Sequence, residues 1–239
     1  MYQERIDRVL AAMEQMGLEQ MIVSDPDSIW YLTGYYVFPF ERLFALYLRR
    51  DGKHKLFLNK LFPVPEVPYE QVWFSDTDDY LTILAENVDG TKPMGIDKEW
   101  PARFLLPLMA HNPSSRCVLA SSCVDDARAC KDEPERQLMR TASRINDTVM
   151  ERAAAFLREG VMEREVADYI VAQYAAEGCD TVAFQPIVSF GSHAADPHHE
   201  ADQTRLRAGD CIVIDMGCRK NRYCSDMTRT VAVGSVTDE

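Results

Sequence analysis

The sequence predicts an α/β (α+β) protein built in two segments, residues 1–130 and 131–239, and three observations carry that expectation. Buried-strand runs alternate with helical periods through the first segment. A charged, proline-containing stretch, "CKDEPERQLMR" from Cys130 to Arg140, then opens a new helix. Beyond Gly178 the pattern changes from two helices to strands.

The elements follow in order. Ile6, Val9, Leu10 and Met13 fall at helical spacing, Gly17 ends that helix, and "EQMIVS" (Glu19 to Ser24) reads as a buried strand. "RLFALYLRR", the turn Asp51 to Lys53 and "HKLFLNK" form a hairpin. A strand "VWFSD" (Val72 to Asp76), a helix in "DDYLTILAENV" and short strands in "KPMGID" and "RCVLAS" complete the first segment. In the second, Leu138, Ala142, Ile145, Val149 and Phe156 keep a period near 3.6, with Pro134 suited to the first helical turn. A second helix places Val166, Ile170 and Tyr174 on one face. "TVAFQPIVSFG", "DCIVIDMGC" and "YCSDMTRTVAVG" read as strands. At the end, Thr237 and Asp238 stand where a helix cap would, with Glu239 in a first-turn position, so the chain reads as cut at a helix start.

Composition narrows the function. With 46% hydrophobic and 27% charged residues the chain has the balance of a globular protein. Acidic residues outnumber basic ones by 38 to 26, for a formal net charge of -12, and Lys and Arg form no cluster. Nucleic acid and anionic membrane are therefore excluded as expected partners. The N-terminal "MYQERIDRVLAAMEQMG" lacks the apolar core of a signal peptide, and no apolar run approaches the ~20 residues of a membrane span. Seven cysteines, an odd number without a CxxC pair, point to a reduced, cytoplasmic setting and away from structural zinc.

Chemistry concentrates near the C-terminus. Asp215 and Asp226 each interrupt a strand-like run where an apolar side chain would pack better. A hairpin centred between Lys220 and Asn221 would set the two aspartates directly opposite each other. Directly opposed residues stand about 4.5–5.5 Å apart at Cβ, and two carboxylates that close must be neutralised. A shared proton, a basic side chain or divalent metal could do so; Arg229, three residues from Asp226, has the wrong parity. Turn capping or surface ion pairs remain the plainer reading. Upstream, the loop "FGSHAADPHHE" holds His193, His198 and His199, three of the five histidines in the chain. A histidine there could steady an oxyanion or ligate metal, or be a solvated loop residue.

Together these stretches resemble the pita-bread metallopeptidases: Xaa-Pro aminopeptidases, prolidases and relatives that include creatinase. "DMGCRKNRYCSDMTRT" is similar to the family's D-x-G and S-D-x-T-R-T signature, and "IVSFGSHAADPHHEADQTRLRAGDCIVID" to the run before the first metal aspartate. "RIDRVLAAMEQMGLEQMIVSDPDSIWYLTGY" resembles a creatinase-type N-terminal domain, and "KDEPERQLMRTAS" the opening of the catalytic domain. The resemblance implies a creatinase-type α/β domain over 1–130 and the first half of a pita-bread domain over 131–239. It makes Asp215 a ligand to one metal, Asp226 a bridge between two, and His198 the substrate-contacting histidine. The implied cofactors are two divalent ions, manganese, cobalt or zinc. The implied reaction is hydrolysis of the bond before proline in a peptide with proline at its second position, by a homodimer.

Two departures qualify what is carried over. The family completes its site with a later histidine and two glutamates, whereas after Asp226 come thirteen residues with no histidine and one glutamate. The expectation is that these 239 residues alone are inactive. His199 also stands where many relatives have glycine. Two other readings follow: a non-catalytic binding or regulatory relative, or a creatinase-like amidinohydrolase that uses no metal. Cys218 and Cys224 are expected to be small packing residues.

Overall fold

The computed structural model describes residues 2–64 and 67–234; the expected helix cap at Thr237 and Asp238 lies outside the described residues. Two compact units divide the chain, Met1–Cys130 and Lys131–Glu239.

The first unit is a six-stranded sheet in the order β4-β3-β2-β1-β5-β6. Its strands are β1 (Gln20–Val23), β2 (Ala45–Arg49), β3 (Lys55–Asn59), β4 (Glu70–Phe74), β5 (Met94–Ile96) and β6 (Cys117–Leu119). The β2–β3 hairpin forms as the sequence predicts, and β1 pairs antiparallel with β2 but parallel with β5. Side-chain alternation explains why the strands read as nearly continuous apolar runs. Met21, Val23, Leu46 and Leu48 pack on one face with α1 (Tyr2–Gln15), α2 (Pro26–Thr33) and α5 (Ser122–Ala129). Ile22, Ala45, Tyr47 and Phe57 pack on the other with α3 (Tyr80–Glu86) and α4 (Ala102–His111). A sheet covered on both faces needs apolar residues at every position rather than at alternate ones.

Helix α2 has no counterpart in the sequence reading. Its signals are nonetheless local: the Asp25 side chain accepts from the backbone N–H of Ser28 at 2.9 Å, and Pro26 follows it directly. The fourth strand begins two residues earlier than expected, at Glu70.

The second unit packs α6 (Glu133–Phe156) and α7 (Glu163–Ala176) against two three-stranded sheets. Helix α6 starts with reciprocal bonds: Glu135 N–H donates to Asp132 Oδ1 at 2.9 Å, and Asp132 N–H to Glu135 Oε2 at 2.8 Å. Its Ala142, Val149 and Ala153 join Val166, Ile170 and Tyr174 of α7 in a core with Ile212, Ile214 and Met216. One sheet runs β11-β10-β7, with β7 Thr181–Val182, β10 Cys218–Lys220 and β11 Tyr223–Cys224. The other runs β12-β9-β8, with β8 Ile187–Phe190, β9 Cys211–Met216 and β12 Met227–Ala232.

Two expectations are corrected here. The run from Thr181 to Gly191 is not one strand: β7 and β8 belong to different sheets, with Pro186, which has no N–H to give a ladder, in the segment between them. The hairpin register also differs, because the turn is Asn221–Arg222, with φ of 49° and 67°, rather than Lys220–Asn221. Lys220 pairs with Tyr223 and Asp215 with Thr228, so Asp226 does not face Asp215 directly. Positive φ at both central residues is the geometry whose twist suits a two-residue hairpin turn.

Among the described residues no helix is long and apolar enough to cross a membrane. All seven cysteines are free thiols. Cys218 is buried in the core, as its expected packing role requires, but Cys224 is exposed.

Candidate metal and substrate site

Strand β9 alternates by face. Ile212, Ile214 and Met216 point into the core, which leaves Asp215 on the opposite side. Across β9, Asp215 pairs with Ile187 of β8 and Thr228 of β12. The Thr228 hydroxyl donates to Asp215 Oδ1 at 2.6 Å and so fixes one carboxylate oxygen. Arg229 pairs instead with Ile214, on the other face, as its parity predicts.

Asp226 precedes β12 by one residue, and continuing the hairpin register sets it opposite Gly217. The two aspartates therefore share one face as diagonal neighbours, a relation that spaces residues about 7–8 Å apart. Gly217 permits this arrangement: a Cβ there would meet the Ser225 carbonyl oxygen at 2.2 Å. Ser225 closes the contact, donating from its N–H to the Cys218 carbonyl at 2.9 Å and accepting from Cys218 N–H through Oγ at 3.0 Å.

Asp215 and Asp226 line one cavity of about 670 Å³ together with His198, His199, Phe184 and Ile187. All three residues singled out from the sequence, His198, Asp215 and Asp226, thus meet at one concavity. Among the described residues no basic side chain forms an ion pair with either aspartate. The carboxylates offer hard oxygen donors with no partner charge, which fits divalent manganese, cobalt or zinc in kind. Two carboxylates supply only part of a coordination shell, since these ions take four or more donors.

The histidine loop shows a second cluster that the sequence did not reveal. Glu163, at the start of α7, is fully buried. Its Oε1 takes Phe190 N–H at 2.8 Å and lies 3.0 Å from His193 Nδ1; its Oε2 lies 2.7 Å from His199 Nε2 and takes Asp202 N–H at 3.2 Å. The His193 and His199 rings stand 4.1 Å apart. Ligand-type atoms of Glu163, His193, His199 and Asp202 all lie within 4.8 Å of one another. The Asp202 carboxyl is held down at about 2, chiefly by the backbone N–H of Thr204, which bonds it at 2.6 Å. His198 stays exposed, its backbone N–H capped by Asp196 Oδ1 at 3.0 Å.

Comparison with known proteins identifies the family and the fold. Residues 5–130 match the creatinase/prolidase N-terminal domain, and residues 137–239 match metallopeptidase family M24. A relative from Staphylococcus aureus (strain MSSA476), described as an uncharacterized peptidase, is 31% identical over 242 residues, covering 98% of this chain and 68% of its own length. The structure of a recombinant prolidase from Thermococcus sibiricus superposes with a TM-score of 0.91 at 31% identity, over 100% of this chain and 67% of that one. Dipeptidase PepE from Mycobacterium ulcerans gives 0.90 at 32% identity, over 99% of this chain and 66% of that one. The chain thus spans about two thirds of the length of the relatives it matches. With both domain models matched in order along the chain, this protein belongs to metallopeptidase family M24 and carries a creatinase/prolidase-type N-terminal domain.

Proposed function

We propose that this chain belongs to an enzyme that hydrolyses the peptide bond preceding proline, with Asp215 and Asp226 as ligands to two divalent cations and His198 as the substrate contact. The observation that supports it most is the meeting of two unpaired carboxylates and His198 at one cavity. A prolidase among the superposed structures supports that substrate class, and a dipeptidase supports peptide hydrolysis more broadly.

Bound divalent ions supply an activated water and polarise the scissile carbonyl. The chain's own residues do the rest. Thr228 orients Asp215 by its hydroxyl bond, and Gly217 lets Asp226 reach the same face. His198, exposed at the rim, offers an imidazole N–H to a carbonyl oxygen of the peptide. Phe184 and Ile187 give the cavity apolar wall against which a proline ring can pack. Two aspartates that share one cavity and form no ion pair with a basic side chain among the described residues favour a metal-dependent reading over a metal-independent amidinohydrolase.

The test is calorimetric. The chain with manganese should bind Ala-Pro in preference to Ala-Ala, and His198→Ala should weaken Ala-Pro binding by about tenfold, the size of one charge-free hydrogen bond of ~1.4 kcal/mol. Equal affinity for the two dipeptides would overturn the proline assignment. Manganese-dependent cleavage by a chain completed with the later histidine and two glutamates separates an enzyme from the non-catalytic relative, which would bind without turnover.

A further inference from the structure

We infer that Glu163 is a positioning residue: a buried carboxylate clamp that closes both ends of the histidine loop and thereby sets His198 across from Asp215 and Asp226. The inference rests on the reading of His198 as a substrate contact.

A carboxylate removed from water must find compensating donors. Glu163 finds four, and they bracket His198 in sequence: Phe190 and His193 before it, His199 and Asp202 after it. Two are backbone N–H groups at the outer ends of the loop, and two are imidazole nitrogens within it. With the Glu163 carboxylate as acceptor, the two imidazole contacts are N–H donations from His193 Nδ1 and His199 Nε2. Once His199 is drawn inward to Glu163, and the His198 N–H is held by Asp196, the His198 side chain is left at the cavity.

The clamp is itself anchored. Glu163 lies in the first turn of α7, where the helix field favours a carboxylate, and Val166, Ile170 and Tyr174 fix that helix in the core. The same cluster has the residue types of a cation site, but the acceptor count favours the clamp. A carboxylate presents about four lone-pair directions, and four N–H groups already meet this one. A cation would have to displace two of them.

The test is hydrogen exchange on the full chain with Glu163→Gln, which keeps size but turns an amide NH2 toward two of the N–H donors. Amides of residues 191–202 should exchange at least about tenfold faster, while those of α6 and β9 hold within about twofold. Manganese retention should be unchanged and Ala-Pro affinity should fall by about tenfold, the usual scale for loss of an orienting partner. If Glu163→Gln fails to fold, His199→Phe removes one of the four donors and should raise loop exchange in the same direction. Unchanged loop exchange in a folded variant would overturn the clamp, as would loss of a bound zinc or manganese ion on the substitution. If the unsubstituted chain binds no Ala-Pro, the substrate role of His198 fails, and loop exchange still decides the clamp.

Discussion

Gly217→Ala is expected to cost about 3 kcal/mol of stability in the second unit, at the upper end for overpacking, and to abolish manganese binding. The added Cβ would meet the Ser225 carbonyl oxygen at 2.2 Å and Phe184 Cε1 at 3.0 Å. A side chain such as Phe184 can turn aside, but the Ser225 carbonyl, held in the backbone between β11 and β12, cannot. Relief requires the two strands to part, which breaks the Ser225–Cys218 bonds and carries Asp226 away from Asp215. Glycine is therefore needed here for close backbone approach rather than for turn geometry. Thermal unfolding and a manganese titration of the variant check both halves, and an unchanged melting temperature would refute the packing argument.

Asn146→Ala should destabilise by about 3 kcal/mol through a different route, the orphaning of buried polar groups. Asn146 is fully buried on α6; its Nδ2 donates to the Met216 carbonyl at 3.2 Å, and its Oδ1 accepts the Tyr174 hydroxyl. Burial, then the neighbouring Cys218, Cys179 and Asp215, push the Tyr174 phenol up, so it remains a donor through the whole working range of pH. Truncating Asn146 leaves that hydroxyl without its acceptor and takes a side-chain donor from the Met216 carbonyl, next to the strand position that bears Asp215. Removing the hydroxyl as well should restore part of the loss, because an absent donor needs no acceptor. Denaturant unfolding of Asn146→Ala and of Asn146→Ala with Tyr174→Phe measures the coupling; strictly additive losses would refute it.

Much of this molecule is legible locally. The Asp132–Pro134–Glu135 run announces the start of α6, and the apolar period carries through to Phe156. The β2–β3 hairpin shows in its own alternation and its Gly52 turn. The metal-site candidates Asp215 and Asp226 were visible as charges inside strand-like runs, and His198 through the motif around it. What failed was register. Nothing in "RKNR" marks Arg222 for positive φ, so the sequence places the turn one residue early, and that single step puts Asp226 in place of Thr228 as the partner of Asp215. The threonine stood within the recognised signature, but only the register shows its hydroxyl on the carboxylate.

The Glu163 cluster could not be read from the chain, because its partners lie 27 to 39 residues away. In sequence Glu163 is one of several acidic residues opening α7, and burial alone distinguishes it. The surplus of histidine in a single loop was the one available hint, since imidazoles that are not solvated need an acceptor somewhere. That acceptor belongs to a helix on which the sequence reading placed only core residues.

The central claim is that Asp215 and Asp226 together hold divalent metal, and a manganese titration followed by the paramagnetic resonance of the free ion tests it most directly, because it detects weak as well as tight sites. The account predicts saturable binding by the unsubstituted chain that weakens at least about tenfold in Asp226→Ala and likewise in Asp215→Ala. Isotherms that coincide for the three proteins, or an unsubstituted chain that leaves all the manganese free, would contradict it.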